Sequence, residues 1–281
     1  MSTISIVSTT NSNFVTPLAT LYRSILVNNS NNNFDFYIFG DHLTAEDKLQ
    51  LKRLELDCNN CHQINYLSVD ESLFRQAVTD DRIIKAAYYR IYTADLLPQL
   101  DRILYLDCDL ICTSDISQLW QTSLNGKVIA AVEDAGYVPR LAEMGIKAQQ
   151  PFYFNSGMML IDLKRWRDEN ITKKVMDFIN QHPEKLKYHD QDALNAVLAD
   201  NWCYLHPKYN MQSRLIRREQ VHPLPPAEIL AEEARQDPIF IHYSGRSKPW
   251  LEFGVRPHPL RNEYWKYAPK TLQLTTKQQI S

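Results

Sequence analysis

Segments with strand-like and helix-like patterns alternate along the first half of the chain, and this alternation restricts the possible folds most strongly. Short apolar runs rich in β-branched and aromatic residues alternate with segments of helical periodicity. The predicted strands are Thr3–Ser8, Phe34–Phe39, Gln63–Leu67, Arg102–Asp107 and Lys127–Glu133, and the predicted helices are Val15–Asn29, Thr44–Asp57 and Ile84–Leu97. Strand–helix–strand units align their strands in parallel. The pattern therefore predicts an α/β fold with a mainly parallel central sheet flanked by helices.

The second half of the chain continues this pattern less regularly. Its predicted elements are a strand at Tyr153–Ile161, helices at Asp162–Gln181 and Asp190–Ala199, and a strand at Pro238–Tyr243. From His206 onward the chain is Pro-rich and irregular. We therefore expect one domain over residues 1–281, in which residues 1–205 form the α/β core and residues 206–281 an irregular C-terminal elaboration.

Charge is small in total but unevenly distributed. Residues 1–205 carry 19 basic and 26 acidic side chains, whereas residues 206–281 carry 12 and 7, so the last quarter is about +5. This asymmetry suits an anionic ligand or surface. No basic run with interleaved aromatic residues occurs, so we expect no nucleic-acid partner. Trp250 and Trp265 suggest peripheral contact with an anionic membrane, although we favour ordinary packing and phosphate binding.

The N-terminal residues and the cysteines bear on the cellular location. MSTISIVSTT has no charged segment followed by an apolar one, and no apolar stretch approaches the ~20 residues of a membrane helix. Five cysteines, an odd number, then favour reduced thiols and a cytoplasmic location. The string from Cys58 to His62 matches the C-x-x-C-H pattern of c-type haem attachment. Because nothing marks export, we interpret it as a loop between a helix and a strand.

Two carboxylates follow the buried strand RILYL. In a strand, residues i and i+2 point the same way, so Asp107 and Asp109 are expected to share a face while Cys108 points elsewhere. Without a cation the two carboxylates would repel each other, and a divalent metal removes that conflict. Oxygen ligands favour Mg²⁺, Mn²⁺ or Ca²⁺, which often also bind phosphates. The alternative is a solvated strand end, or a cap for the turn that contains Ser114 and Asp115.

A histidine and a glycine–lysine segment end the strand PIFIHY. An imidazole from His242, added to two carboxylates, would suit Mn²⁺ better than Mg²⁺. Gly245 allows the backbone to approach a ligand closely, and Lys248 offers a point charge for phosphate. These residue types at a strand end favour a ligand site over a structural histidine.

Two further polar positions stand out. Asp190 and Gln191 open a predicted helix in the string YHDQD, where they would be held rigidly enough to orient sugar hydroxyls. An N-cap role for Asp190 is an adequate structural alternative. Asn155 lies inside the apolar run YFNSGMML, and a buried amide needs partners, of which a ligand is one source.

Four motifs together resemble family 8 glycosyltransferases: the D-x-D after ILYLD, YFNSGMMLIDLKRWR, YHDQDALN and IHYSGRSKPW. That family includes bacterial lipooligosaccharide α-galactosyltransferases and, more distantly, glycogenin. The motifs occur in order and extend to about Trp250. The resemblance implies a GT-A fold and Mn²⁺-dependent transfer, with retention, of a hexose (galactose or glucose) from a UDP-sugar. The acceptor would be a glycan, a lipopolysaccharide or a glycoprotein, and the role cell-surface polysaccharide biosynthesis.

The resemblance also implies roles for individual residues. Asp107, Asp109 and His242 would be the metal ligands, and Gly245 and Lys248 would hold the diphosphate. The backbone near Cys108 would lie against the nucleoside, and Arg90 would approach the diphosphate and sugar. Asn155, Asp190 and Gln191 would contact the donor sugar, and Asp134 would face the acceptor. Gln191 would lie nearest the sugar face opposite the leaving group.

The chain departs from the family near its N-terminus. Family members often carry an acidic residue after the first strand, in a pattern such as D-D-N-Y. This residue recognises the uracil ring of the donor. Here the candidate nucleoside-binding residues are Thr9, Thr10, Asn11, Asn13 and Phe14. Asn11 or Thr10 would hydrogen-bond a base edge, and Phe14 would stack on the base.

The catalytic residues we predict are Asp107, Asp190 and Gln191. An amide is a weak nucleophile, so Gln191 on the opposite face favours same-face attack through an oxocarbenium-like state, while Asp190 keeps a covalent route open. Two alternatives remain. The first is a haloacid-dehalogenase-type phosphatase, a class that also ends a strand with D-x-D. In that class, however, the motif lies on an early strand, and Thr or Val typically stands where this chain has Ile111. A nucleotide-sugar-binding protein that has lost turnover would fit the missing N-terminal acid.

Overall fold

A large and a small β-sheet organise the protein. The computed structural model describes residues 3–68, 86–136, 139–219, 225–251 and 256–269. The strands in these ranges are β1 (Thr3–Asn11), β2 (Asn33–Asp41), β3 (Cys61–Leu67), β4 (Arg102–Leu106), β5 (Leu110–Cys112), β6 (Ile129–Glu133), β7 (Phe154–Asp162), β8 (Trp202–Tyr204), β9 (Met211–Gln212) and β10 (Phe240–His242).

The large sheet has seven strands in the order β3-β2-β1-β4-β7-β6-β8. Strands β1 to β4 pair in parallel and β8 is parallel to β6, whereas β7 is antiparallel to both β4 and β6. The predicted α/β class and central sheet are thus confirmed, with β7 as the exception to parallel pairing. A strand buried on both faces has the same continuous apolar pattern in either direction, so its orientation was not visible in the sequence.

Helices flank the sheet. They are α1 (Val15–Asn28), α2 (Ala45–Asp57), α3 (Ala86–Tyr89), α4 (Thr93–Leu96), α5 (Ser117–Trp120), α6 (Arg140–Glu143), α7 (Leu163–Asp168), α8 (Ile171–Gln181), α9 (His189–Leu198), α10 (Ser213–Ile216), α11 (Pro225–Gln236) and α12 (Arg261–Trp265). Of the predicted helix Ile84–Leu97, residues 84 and 85 lie outside the described residues. The remainder forms α3, a 3₁₀ turn and α4.

The predicted helix Asp162–Gln181 was wrong as one continuous element. Asp162 ends β7 and caps α7, its carboxylate accepting from the Arg165 backbone N–H at 2.8 Å. Asn170 then adopts a left-handed conformation with φ of 53° and separates α7 from α8. Asparagine tolerates this conformation better than most residues, so the chain turns there rather than continuing the helix.

Side chains of the large sheet alternate between two apolar clusters. In β4, Leu104 and Leu106 pack on the same side as α1 and α2, whereas Ile103 and Tyr105 pack on the side of α8 and α9. Both faces of the central strands are therefore covered. A strand buried in this way exposes polar groups only at its ends, which is where a ligand can reach it.

Several local expectations are borne out around α2. Thr44 and Asp47 form a reciprocal capping box at its start. The helix ends at Asp57 and β3 begins at Cys61, so the C-x-x-C-H string is a helix–strand connection, as interpreted. All five cysteines are free.

The aromatic residues near the C-terminus contact one another. The Trp250 and Trp265 rings lie 5.2 and 5.4 Å from the ring of Tyr264. This arrangement agrees with the packing interpretation, and the membrane contact stays a prediction. Within the described ranges, no helix combines the length and the apolar character that crossing a membrane would require.

The D-x-D segment lies in a turn between β4 and β5. The expectation that Asp107 and Asp109 share one face of a strand was therefore wrong. Strand β4 ends at Leu106, the Asp107 backbone N–H donates to the Gly157 carbonyl at 2.8 Å, and the chain then turns into β5. Strand β5 pairs antiparallel with β10, so that Leu110 faces His242. This pairing, in the small sheet β5-β10-β9, brings the histidine beside the two acids.

Candidate active site

Asp107, Asp109 and His242 form a compact cluster of potential metal ligands. One ligand atom from each lies within 4.8 Å of the others, and Asp109 Oδ1 is 3.2 Å from His242 Nε2. In the part of the chain that the structure describes, no other group of three such side chains meets in this way. Two carboxylates and an imidazole are a donor set that fits Mn²⁺ well and Mg²⁺ less well.

Cationic side chains contact both carboxylates of this cluster. The Arg90 Nη2 atom donates to Asp107 Oδ1 at 2.9 Å, and the Lys248 amine pairs with Asp109 Oδ2. Burial would raise the pKa of Asp109, but Lys248 and His242 outweigh it and hold that pKa well below its ordinary value. Asp109 is therefore charged in the folded protein and can bind a cation.

Arg90 also connects the cluster to Asp190. Its Nε atom lies 3.1 Å from Asp190 Oδ2, although this contact does not have hydrogen-bond geometry. Burial raises the pKa of Asp190 and Arg90 only partly opposes the rise. Helix α9 has Tyr188 as its N-cap, with Asp190 in the first turn, so the N-cap interpretation of Asp190 was wrong.

A buried hydrogen-bond network orients the amides next to the cluster. Asn155 Nδ2 donates to Asp134 Oδ2 at 2.9 Å, and Gln191 Nε2 donates to the same oxygen at 3.3 Å. Gln191 Oε1 accepts from the Ser156 backbone N–H at 2.9 Å. Burial raises the pKa of Asp134, whereas these amides and the Gly136 N–H lower it. Three of the four residues predicted to face the sugar or the acceptor are thus joined in one hydrogen-bond network.

A cavity of about 260 Å³ borders the metal-ligand cluster. It is lined by Thr9, Thr10, Asn11, Phe14, Arg90, Tyr105, Asp107, Cys108, Asp109 and Lys248. The sequence pointed to every one of these residues except Tyr105, whose hydroxyl donates to Asp107 Oδ1 at 3.1 Å. Asn13 is not among them; its backbone N–H donates to Asn11 Oδ1 at 3.0 Å.

A second cavity, of about 740 Å³, adjoins the first at Arg90 and Asp107. The predicted residues that line it are Asp134, Asn155, Asp190, Gln191 and Gly245. Gly245 has φ of 84° in the turn after β10, a conformation that favours glycine. Most of the predicted donor-binding residues therefore line one of two adjoining cavities. Asp107 of the metal-ligand cluster lines both, whereas the buried His242 lines neither.

Residues that the sequence did not indicate complete the site. A Cβ atom on Gly157 would lie 2.5 Å from His242 Cε1 and 2.9 Å from Asp107 Oδ2, so only glycine fits beside the cluster. Asn210 donates to Asn155 Oδ1 at 2.9 Å. Arg214 and Arg217 line the second cavity. The position of Gly157 inside the NSGMM string was the one available signal.

The central mixed sheet, its flanking helices and the D-x-D turn at the end of β4 define a GT-A-type glycosyltransferase fold. A crystal structure of the galactosyltransferase LgtC in complex with donor and acceptor sugar analogs has a TM-score of 0.81 to this protein. The match covers 94% of this chain and 95% of that one, at 21% identity, so it establishes a shared fold.

Sequence comparison is more specific. Residues 5–254 match the profile described as glycosyl transferase family 8, and the chain belongs to that family. General stress protein A of Bacillus subtilis (strain 168) is 38% identical over 275 residues, which cover 95% of this chain and 93% of that protein. Lipopolysaccharide 1,2-glucosyltransferase of Escherichia coli (strain K12) is 31% identical over 270 residues, covering 90% and 76%.

Family membership confirms the resemblance seen in the sequence and makes the protein a glycosyltransferase. Family membership favours sugar transfer over the phosphatase alternative. The matched region includes the D-x-D turn, the NSG string of β7 and His242 of β10.

Proposed function

We propose that the protein transfers a hexose, galactose or glucose, from a UDP-sugar to a glycan, lipopolysaccharide or glycoprotein acceptor, with retention of anomeric configuration. The convergence of Asp107, Asp109 and His242 beside two adjoining cavities, both of which Asp107 lines, carries this proposal. Relatives that are named lipopolysaccharide glucosyl- and galactosyltransferases support a hexose donor and a cell-surface glycan as product.

The metal would be Mn²⁺, or Mg²⁺ as the alternative, held by Asp107, Asp109 and His242. When bound there, such an ion neutralises charge that develops on a departing diphosphate. Arg90 and Lys248 contribute further positive charge at the same place, because both lie within contact distance of the acidic ligands. We therefore assign the diphosphate to the space between these two side chains.

The nucleoside would occupy the smaller cavity. Thr10 and Asn11 offer polar groups to the base edge, and Phe14 offers a ring face. The Phe14 ring is supported edge-to-face by Trp250, with ring centroids 6.3 Å apart. The Cys108 thiol donates to the Thr9 carbonyl at 2.8 Å, which joins the D-x-D turn to the end of β1. These contacts support a preformed nucleoside pocket.

The donor sugar would extend into the larger cavity beside Asn155, Asp190 and Gln191. Gln191 Oε1 already accepts from the Ser156 N–H and, at 3.3 Å, from the Ser156 hydroxyl. Both lone pairs of that amide oxygen are engaged, which supports same-face attack over a covalent intermediate on Gln191. Asp190 keeps the covalent alternative open, since its carboxylate is buried beside the sugar position.

The bond changes of the proposed reaction balance without a further reactant. The bond from the anomeric carbon to the diphosphate oxygen breaks, and a bond to the acceptor hydroxyl oxygen forms. The hydroxyl proton passes to the departing diphosphate. Asn155 and Gln191 would hold the sugar during this exchange, and both donate to Asp134, which also lines the larger cavity.

Release of UDP from UDP-galactose and UDP-glucose in the presence of Mn²⁺ tests the proposal. Asp109→Asn is expected to lower turnover by about a hundredfold or more, without rescue by added Mn²⁺. Asp101→Asn, at a side chain that is 83% exposed, is the matched control. Calorimetric titration with Mn²⁺ provides a readout that does not depend on activity.

The outcomes separate the alternatives. Near-normal turnover of Asp109→Asn would remove the metal-dependent mechanism. Tight binding of UDP-sugar by the unaltered protein, without transfer or slow donor hydrolysis, would indicate a binding protein that has lost turnover. A parallel phosphatase assay on a chromogenic phosphate ester is expected to be negative.

A further inference from the structure

The lining of the larger cavity includes three arginines in addition to Arg90. They are Arg214, Arg217 and Arg246. Arg217 immediately follows α10 and lies three positions after Arg214, so the two side chains share one helical face. Arg246 comes from the turn after β10. Three arginines from two segments thus line this cavity, and we call them the arginine wall.

Arg217 has unused hydrogen-bonding capacity. Its Nη2 atom donates to the Pro257 carbonyl at 3.1 Å. Its Nη1 atom is buried and, within the described residues, donates to no partner. Leaving a buried N–H of a charged group without an acceptor costs more than about 1 kcal/mol of folding free energy. A ligand that supplies an acceptor to this N–H would remove that cost.

Arg214 connects the arginine wall to Asp134. A Cβ atom built on Gly136 would lie 2.8 Å from Arg214 Nε, so this guanidinium packs over the backbone two residues after Asp134. Asp134 is the residue for which an acceptor-facing role is expected. If Asp134 faces the acceptor as expected, Arg214 would lie on the acceptor side of the donor sugar.

The acidic residues of this cavity are largely engaged elsewhere. Asp107 and Asp190 are ion-paired with Arg90, and Glu219 lies 4.0 Å from Arg256 Nη1. Residues 206–281, which supply the arginine wall, carry 12 basic and 7 acidic side chains. Arg214, Arg217 and Arg246 therefore bring positive charge to the lining of this cavity, which favours an anionic ligand.

We propose that the acceptor is an anionic saccharide, whose phosphate or carboxylate group is bound by Arg217 with Arg214 and Arg246 beside it. The planar guanidinium fork matches both kinds of group in a bidentate geometry. This inference rests on the proposed transferase function, which supplies the donor on the other side of Asp134. It names the acceptor class, which the family match leaves open.

Titration of the UDP-bound protein with inorganic phosphate, in the presence of Mg²⁺, tests the inference directly. UDP fills the diphosphate position, so phosphate reports on the arginine wall. Calorimetry with UDP comes first, and a lack of UDP binding would count against the proposed function alone. Arg217→Gln is expected to weaken phosphate binding about tenfold or more.

Matched variants separate recognition from structure. Arg218→Gln is the control, because the Arg218 side chain is 62% exposed and pairs with Glu232 at 2.8 Å, outside the cavity. Arg217 also donates to Pro257, so exposed Arg246→Gln serves as a second variant that leaves this contact intact, with an expected loss of about threefold. No phosphate binding, or equal binding by Arg217→Gln and Arg218→Gln, would overturn the proposal.

Competition against bound phosphate then identifies the anionic group. Glucose 6-phosphate, glucuronic acid and glucose are compared as competitors. Stronger competition by the first identifies a phosphate-bearing acceptor, and stronger competition by the second a uronate. Glucose competing as well as both, or none of the three competing, would contradict an anionic saccharide.

Discussion

The Nδ1 atom of His242 lies 2.9 Å from the Oδ1 atom of Asn210, on the buried side of the metal-ligand cluster. The orientation of the Asn210 amide is determined by its contact with Asn155. Asn155 Oδ1 accepts from the Gly157 backbone N–H at 3.1 Å, so Asn210 must present its NH₂ group to the same oxygen. Its carbonyl oxygen therefore faces the imidazole, and Nδ1 carries the proton. Nε2 faces Asp109, and its lone pair would be available to a metal ion bound between the two side chains.

Asn210→Ala is expected to weaken Mn²⁺ binding about tenfold to a hundredfold. Without the amide acceptor, the imidazole is free to place its proton on Nε2, which cannot then bind a metal. Calorimetry measures the affinity, and ¹⁵N NMR of the imidazole reports the tautomer, which a purely structural role would not change.

Asn65→Ala is the matched control for this variant. Asn65 is a half-buried amide, whereas Asn210 is fully buried, and the Asn65 side chain donates to the Phe36 carbonyl at 3.3 Å in another part of the sheet. Asn210→Asp retains an acceptor for Nδ1 and is expected to recover most of the affinity. An unchanged tautomer and affinity in Asn210→Ala would remove the positioning role.

Gly157→Ala is expected to disrupt the metal-ligand cluster, with Mn²⁺ affinity lowered more than tenfold. The added Cβ would lie 2.5 Å from the His242 ring and 2.9 Å from the Asp107 carboxylate, so the two ligands must move apart. Gly145→Ala is the comparison, since its Cβ meets nothing within 4 Å and only its φ of 73° is strained, at a cost of about 1 kcal/mol. Equal Mn²⁺ affinities in the two variants would show that the close approach is unimportant.

Lys248→Met is expected to raise the affinity for Mn²⁺ and to lower the affinity for UDP. Lys248 pairs with Asp109, so in the nucleotide-free protein its ammonium group competes with a divalent ion for the same carboxylate. Mn²⁺ affinity without UDP is expected to rise severalfold, roughly threefold to tenfold, whereas UDP affinity falls. Lys52→Met, at an exposed lysine paired with Glu55, is the control. Weaker Mn²⁺ binding by Lys248→Met would refute the competition.

Much of this arrangement could be predicted from the sequence, because the candidate site residues lie at the ends of apolar runs. The runs that precede Asp107 and His242 become the buried strands β4 and β10, and a buried strand places its first polar residues at the sheet edge. Residues at the end of β1 and just after it reach the same edge, so the sequence indicated all but one of the residues that line the smaller cavity.

The remaining features depend on contacts between distant segments. Asn210 and Asn155 are 55 positions apart, and nothing in the local pattern around either residue specifies their hydrogen bond. The direction of β7 and the left-handed Asn170 likewise follow from packing rather than from periodicity. The larger cavity was the least predictable part, because Arg214 and Arg217 belong to an irregular segment without regular apolar spacing.

Glu133, at the end of β6, is expected to make stability fall as the pH rises. Burial, with a smaller contribution from the charge of Asp134, raises the pKa of Glu133 from 4.5 to about 7. The folded protein thus binds more protons than the unfolded chain between these values, so stability is full below about pH 4.5 and declines as the pH rises through 7. Glu133→Gln removes this loss, and its free energy of unfolding at pH 8 should exceed that of the unaltered protein by about 1–3 kcal/mol. Urea denaturation at pH 4.5 and 8 measures the difference, with exposed Glu143→Gln as the control. A gain of equal size at both pH values would exclude the ionisation of Glu133 as its cause.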